Sequence, residues 1–333
     1  MKGAKIPMAL PDSNSAPSYD TFNQTKAPHK SHIPLASFFS DIKITKSRYN
    51  SIKSFLNYMF KSAVCLVVRD EAQDILEWVA FHSAVGFDTQ IIFDNCSTDE
   101  TPRLLQAISK IVDVRVIPWQ NRGALYQENA YLTAASIFRK EFEWMAFIDS
   151  DEFFIPELPV SLEKYLQAFP NAGGIAVNWA LYGSNNHQQS PDGFIIKNFT
   201  RRSESSFFPN RHIKSLVRPE SIVSAGNPHF FNLDAPYFTA SGAPLEWFKN
   251  EHGVMLKGVS ASEPDYKGAR INHYFTKSFE HWKKKVKRGY NSAANSRKIE
   301  EFSIYDQNQI EDLIAFRYLA KTQEIFDSFK NLI

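Results

Sequence analysis

The sequence predicts an α/β protein built on a doubly wound sheet flanked by helices. Three observations predict it. Short apolar runs alternate with stretches of helical periodicity between residues 63 and 148, polar and acidic residues cluster directly after those runs, and the pattern then loosens into shorter strands before turning helical again.

Ala63 to Val68 (AVCLVV) is a continuous apolar run of strand length. From Asp74 to Val85 the residues Leu76, Val79, Ala80 and Ser83 recur at helical spacing, and Gly86 ends the pattern. The alternation continues with a strand at Gln90 to Phe93 and a helix opened by Thr101 and Pro102. A strand at Val114 to Ile117, a helix from Gly123 to Phe138 and a strand at Trp144 to Ile148 follow. Four strands separated by helices imply parallel neighbours, and the loops after Val68, Phe93 and Ile148 are then expected to meet in one crevice beyond the strand ends. Beyond Pro156 shorter strands are expected, among them Gly174 to Asn178 and Gly193 to Phe199, with helix again after Ser278. No internal repeat is visible.

The bulk properties admit an enzyme of ordinary size. The chain has 333 residues, 43% hydrophobic and 22% charged, with 28 Phe lifting the aromatic share to 14%, so a cleft here is expected to have aromatic walls. A formal net charge of +2 gives no argument for a nucleic-acid partner. Cys65 and Cys96 are the only cysteines and both lie in apolar or strand-like contexts, the pattern of buried thiols in a reducing compartment. No secretory leader is apparent, and the run from Phe55 to Val68 is interrupted by Lys61 and too short to span a bilayer. The expectation is a cytoplasmic protein with scope for peripheral contact at the inner face of a membrane. Residues 1–37, rich in Pro, Ser, Asn and Lys, read as a mobile extension.

The strongest local signal is Asp149-Ser150-Asp151-Glu152, three carboxylates in four residues after an apolar strand. Like charges this close raise one another's pKa, and a divalent cation removes that penalty while leaving positions open for phosphate oxygens. A solvated acidic turn is the alternative. The second signal, Asp94 to Asp99 (DNCSTD), offers short polar side chains to a base or ribose, or an Asx-rich turn capping the next helix. Arg69-Asp70-Glu71 ends the first strand and suits either a nucleotide or a helix cap. Gly-x-Gly-x-x-Gly does not follow this strand and no P-loop motif occurs, so dinucleotide and P-loop chemistry lose support.

Taken in order, VVRDE, EWVAFHSAVGFD, IIFDNCSTDET and FIDSDEFF resemble the nucleotide-binding half of family 2-type glycosyltransferases with the GT-A fold. NWALYGSN, KSLVRP, NPHFF and INHYFTKSFEHWKKKVKRG are similar to the bacterial branch related to glycosyltransferase family 92, and together the segments run from about Ala63 to Tyr290. The resemblance implies a GT-A mixed sheet over residues 38–290, with a nucleotide half at 63–156, an acceptor half at 157–290 and a helical region at 291–333. It implies Asp94 at the base or ribose, Arg69, Glu71 and Asp149 at the nucleotide, and Asp149, Asp151 and His273 at a metal. Asn178, Trp179 and Tyr182, with Gly183 and Ser184 beside them, match an acceptor segment. Lys214, Arg218 and His229 would neutralise diphosphate or shape the acceptor pocket.

For His273 the residues alone favour a structural role, and only the resemblance reverses that. The basic run His281 to Arg288 reads as a solvated helix surface, with Lys277, Lys284 and Arg288 as alternative phosphate contacts. Glu152 and Glu246 are candidates for the catalytic base by residue type, since burial raises such carboxyls toward a useful range. The resulting expectation is Mn- or Mg-dependent transfer of a hexose from a nucleoside-diphosphate sugar, UDP-linked in the first instance. The acceptor is a saccharide or glycolipid hydroxyl, transfer proceeds with inversion, and the setting is surface polysaccharide or lipopolysaccharide synthesis. The rivals are a non-catalytic nucleotide-sugar-binding module and a phosphatase with a nucleophilic Asp, which normally carries its Asp-x-Asp on the first strand.

Overall fold

The computed structural model describes residues 61–121, 123–157, 160–264, 266–288 and 297–333. The expected extension at 1–37 lies outside the described residues. The alternating half forms as its periodicity dictates. Strands β1 (Ser62–Val68), β2 (Thr89–Asp94), β3 (Val114–Pro118) and β4 (Trp144–Phe147) alternate with helices α1 (Ile75–Val85), α2 (Thr101–Ile108) and α3 (Tyr126–Phe138). Pairing is parallel throughout, β3 on β2, β2 on β1 and β1 on β4. Gly86 stops α1 in the left-handed region at φ 115°, its N–H bonded back to the carbonyl of His82.

Strand β1 shows why the sheet is covered on both sides. Val64, Leu66 and Val68 enter one core with α1 and α2, whereas Ala63 and Cys65 enter another with Ala130, Tyr131 and Ala134 of α3. Both thiols are free, and burial raises that of Cys65.

The second half makes the sheet mixed. It adds β5 (Glu152–Pro156), β6 (Gly174–Leu181), β7 (Ile213–Val217) and β8 (Ala269–His273), giving the order β3-β2-β1-β4-β7-β6-β8-β5. Here β7 runs antiparallel to both β4 and β6, and β8 runs parallel to β6 but antiparallel to β5. Three strands thus end on one edge at Val68, Asp94 and Phe147, as expected.

One expected strand is absent. Gly193 to Phe199 instead holds a single helical turn at Ile195–Asn198. Gly193 turns the chain at φ 91°, and the backbone N–H groups of Ile195 and Ile196 donate to the buried carboxylate of Glu77 at 2.6 and 3.1 Å, so no strand partner receives them. The basic run does form a helix (Phe279–Arg288), and a last helix (Leu319–Phe329) packs on α1, where Tyr318 meets Phe81 edge-on. No helix among the described residues is long and apolar enough to cross a membrane.

Candidate active site

The three expected loops converge on a cavity of about 690 Å³, a size typical of small-molecule sites. The first two loops are latched to each other. Asp70, at φ 55°, accepts the N–H of Thr98 at 2.6 Å; its own N–H donates to Ser97 Oγ, and Glu71 N–H donates to Thr101 Oγ1. Asp94 folds back to accept the N–H of Ser97, and Asp99 accepts that of Thr101 at the start of α2. The polar residues of DNCSTD therefore serve largely as turn and cap, and the cavity wall at this point is Asn95, whose buried Oδ1 has no partner.

The third loop carries the carboxylate cluster. Trp78 of α1 pins its backbone by donating Nε1–H to the carbonyls of Asp149 and Glu152 at 3.1 and 3.0 Å. Asp149 is held on both sides, by Gln127 Nε2 at 2.6 Å on Oδ1 and by Lys214 Nζ at 2.8 Å on Oδ2. Lys214 is fully buried and also lies 3.4 Å from Glu152. Burial, the largest influence, raises the Asp149 carboxyl, but the charge and hydrogen bond of Lys214 together with His229 bring the net direction down. Glu152 goes the other way, pushed up to about 8 by burial against the attraction of Lys214, with Asp149 and Asp151 adding to the rise. It is sealed from solvent and accepts the Asp149 N–H at 2.7 Å, which makes it a brace for the turn.

Asp151 faces a different set. Its Oδ2 accepts from Lys285 Nζ at 2.6 Å and its Oδ1 lies 3.5 Å from His273 Nε2. Burial raises this carboxyl too, yet Lys285 and His273 together hold it well below the usual range. His273 is the cross-strand partner of Glu152, and its Nδ1 lies 3.9 Å from Glu152 Oε1. Both of those atoms are buried without a hydrogen-bond partner.

The helix Phe279–Arg288 is amphipathic in an unexpected way. Trp282 and Lys285 are buried on its inner side, Lys285 bonding the carbonyl of Phe275 and lying over that ring, whereas Lys284 is exposed and paired with Glu280. Arg288 reaches the cavity rim and pairs with Glu71 at 2.9 Å. Lys277 is buried against Asp74, outside the cavity wall. Among cations of the run, Lys285 and Arg288 enter the site.

A wall of histidines surrounds Trp179. His212 stacks on its ring at 4.9 Å and 20°, while His229 and His273 meet it at 5.2 and 4.3 Å. The neighbouring residues of the expected acceptor segment point elsewhere. Asn178 donates to the carbonyls of Asn210 and Arg211 and to Ser260 Oγ, and the buried Tyr182 hydroxyl receives Arg270 and Asn272. Gly183 and Ser184 dock the C-terminal segment, since a Cβ at 183 would strike the Gln307 carbonyl and Asn308, and Ser184 N–H donates to Asp306.

Of the remaining candidates, Arg69 lines the cavity, Arg218 lies over the Trp144 ring and pairs with Glu143, and Glu246 is exposed outside the cavity wall. Sequence reasoning missed Gln127, Lys285 and His212. The signal for Lys285 was present, because it shares a helical face with Trp282.

A model of glycosyltransferase family 92 matches residues 61–311. The glycosyltransferase family 92 protein Os08g0121900 of Oryza sativa subsp. japonica is 27% identical over 244 residues, covering 72% of this chain and 37% of its own length. The family 92 protein At1g27200 of Arabidopsis thaliana is 28% identical over 186 residues, 51% of this chain and 31% of its own. The chain thus spans roughly a third of the length of these curated relatives. Among solved structures, S. aureus TarS 1–349 is 14% identical, with 82% of this chain and 73% of that chain covered at a TM-score of 0.34. With its family model matched over about three quarters of its length, the chain belongs to glycosyltransferase family 92.

Proposed function

We propose that this chain transfers a hexose from a nucleoside-diphosphate sugar, UDP-linked in the first instance, to a saccharide or glycolipid hydroxyl with the help of a divalent cation. The observation that carries the reading is the meeting of Asp151, His273, Lys285 and Arg288 in one cavity beyond the ends of the parallel strands. Cations beside partly neutralised carboxylates suit a diphosphate, whose negative charge grows as the sugar departs.

The residues fit a cation held in part by substrate. No group of three His, Cys, Asp or Glu is assembled to hold a metal among the described residues. Asp151 Oδ1 and His273 Nε2 nevertheless converge at 3.5 Å. A hydrogen on His273 Nδ1, 3.9 Å from the unpartnered Glu152 Oε1, would leave Nε2 as a lone-pair donor, the usual arrangement behind a metal-bound histidine. Two protein ligands with phosphate oxygens and water suffice for Mg²⁺ or Mn²⁺. When bound, the cation supplies positive charge to the departing diphosphate. Asp149 supports this set through Lys214 and Gln127, Asn95 offers Oδ1 to the nucleoside, and Lys285 and Arg288 bind phosphate oxygens.

The test is a thermal-shift panel of UDP, GDP and CMP with and without Mn²⁺, because a ligand of the native state raises its stability. A rise of several degrees with one diphosphate, dependent on metal and lost in Asp151→Ala, is expected. No response to any nucleotide would remove the reading, and binding without turnover would leave a nucleotide-sugar-binding module.

A further inference from the structure

We propose that His212 is the general base of the transfer, taking the acceptor hydroxyl proton on Nε2. The inference rests on the transferase reading above. Among the described residues the cavity carboxylates are engaged elsewhere, Asp70 by the Thr98 N–H, Glu71 by Arg288, and Asp149 and Asp151 each by a lysine, whereas Glu152 is sealed beneath the turn it braces and Glu246 lies outside the cavity wall. What remains is the histidine wall around Trp179.

The tautomer of His212 follows from its partner. Its Nδ1 lies 3.0 Å from the carbonyl oxygen of Pro209. A carbonyl only accepts, so the ring hydrogen sits on Nδ1 and Nε2 keeps its lone pair. His212 lines the cavity, and stacking on Trp179 at 20° fixes the plane of the ring. Burial, the dominant influence, lowers the ring's pKa, with His273 and Lys214 adding to the effect, so the imidazole is neutral and able to accept at pH 7.

His229 offers a similar tautomer through the carbonyl of Ile213 at 3.1 Å. Its ring meets Trp179 edge-on at 63° rather than stacking on it, and lies 5.7 Å from that of His212. Inverting transfer takes its base on the face of the sugar opposite the leaving group, and that face is assigned to the stacked His212 rather than to the edge-on His229.

In the step, an acceptor oxygen forms the bond to the anomeric carbon while the bond from that carbon to the diphosphate oxygen breaks, its electron pair leaving with the nucleoside diphosphate. The hydroxyl proton passes to His212 Nε2 and from the imidazolium to solvent. One alcohol and one nucleotide sugar thus give one glycoside, one nucleoside diphosphate and one proton.

The experiment measures release of nucleoside diphosphate from UDP-glucose, UDP-galactose, UDP-N-acetylglucosamine and GDP-mannose with Mn²⁺, water standing in for the acceptor. It compares the wild-type protein with His212→Ala, His212→Phe and His229→Ala. For a positioned base the expected loss in kcat is about 100-fold or more in both His212 variants. Donor KM and UDP binding by calorimetry should stay within about threefold of wild type. Added imidazole should restore activity to His212→Ala but not to His212→Phe, which retains the ring on Trp179. Retention of more than about a tenth of the wild-type kcat in His212→Ala, or a loss not rescued by imidazole and matched by lost UDP binding, overturns the assignment. A loss confined to His229→Ala transfers the role there. Absence of both turnover with any donor and UDP binding by calorimetry in the wild-type protein removes the transferase reading itself.

Discussion

Lys285 Nζ lies 2.6 Å from Asp151 Oδ2 and is buried, although it belongs to the most basic run in the chain. The helix Phe279–Arg288 turns this one cation inward beside Trp282 and leaves Lys283, Lys284 and Lys287 exposed. The acidic loop is therefore neutralised by side chains of its own chain, Asp149 by Lys214 and Asp151 by Lys285.

Removing that neutralisation should be costly in a way a cation can reverse. Lys285→Met leaves a buried carboxylate without its partner, a change worth about 3–5 kcal/mol. Its melting temperature should fall well below wild type, and Mn²⁺ should restore more in the variant than it adds to the wild-type protein. Equal Mn²⁺ effects in the two proteins would contradict a metal position at Asp151.

Lys214 is the deeper of the two cations. Lys214→Met strands Asp149 and Glu152 together and should destabilise by about 3–5 kcal/mol. Adding Glu152→Gln should recover part of that loss, because Glu152, already pushed up to about 8, can then no longer ionise beside Asp149. Fully additive losses by chemical denaturation would show that the three groups are not coupled.

The alternating half of the fold was legible because its physics is local. A buried parallel strand needs a short apolar run and the helix behind it needs a 3.6-residue repeat, and both are written within residues 63–148. The convergence of three loops followed from topology alone. The second half resisted because its determinants are distant in sequence: Glu77 turns Ile195 and Ile196 into a helical turn from 118 and 119 residues away. The same holds at the site. Asp149 and Asp151 could be named from their motif and His273 only from the family resemblance, whereas Lys285 reaches Asp151 across 134 residues and His212 depends on a carbonyl that no pattern marks.

The segment NWALYGSN illustrates a different limit. A motif can persist for packing, and Gly183 here makes room for Gln307 and Asn308. Gly183→Ala should destabilise by about 1–3 kcal/mol and speed proteolysis between residues 306 and 333, with UDP affinity changed less than stability. Protection equal to wild type would contradict the docking account.

Acid should unfold the protein through a neutral buried histidine. His82 is fully buried, bonds the Trp78 carbonyl through Nδ1 and accepts the Phe154 N–H on Nε2. Burial lowers its pKa to about 3, against an ordinary 6.5. Above pH 6.5 neither state is protonated and the stability is fully present. As pH falls from 6.5 toward 3 the unfolded chain binds a proton the folded chain refuses, so stability drops by up to about 1.4 kcal/mol per pH unit from this residue. His229 acts in the same direction. The buried carboxyls of Glu77 and Glu152, both raised to about 8, act in the opposite direction. The check is therefore the difference between the wild-type protein and His82→Gln in denaturant titrations at pH 7, 6 and 5: it should shrink as pH falls, and a difference independent of pH would contradict the account.

The central claim is that Asp151 and His273 help a divalent cation hold the donor diphosphate while the sugar leaves. Its most direct test is the rate of nucleoside diphosphate release from a panel of nucleotide sugars, with and without Mn²⁺, by the wild-type protein and by Asp151→Asn. The account predicts metal-dependent turnover of one donor class by the wild type and a loss of at least about 100-fold in the variant with the fold intact by circular dichroism. Turnover by Asp151→Asn at the wild-type rate, or turnover indifferent to both Mn²⁺ and chelator, would contradict it.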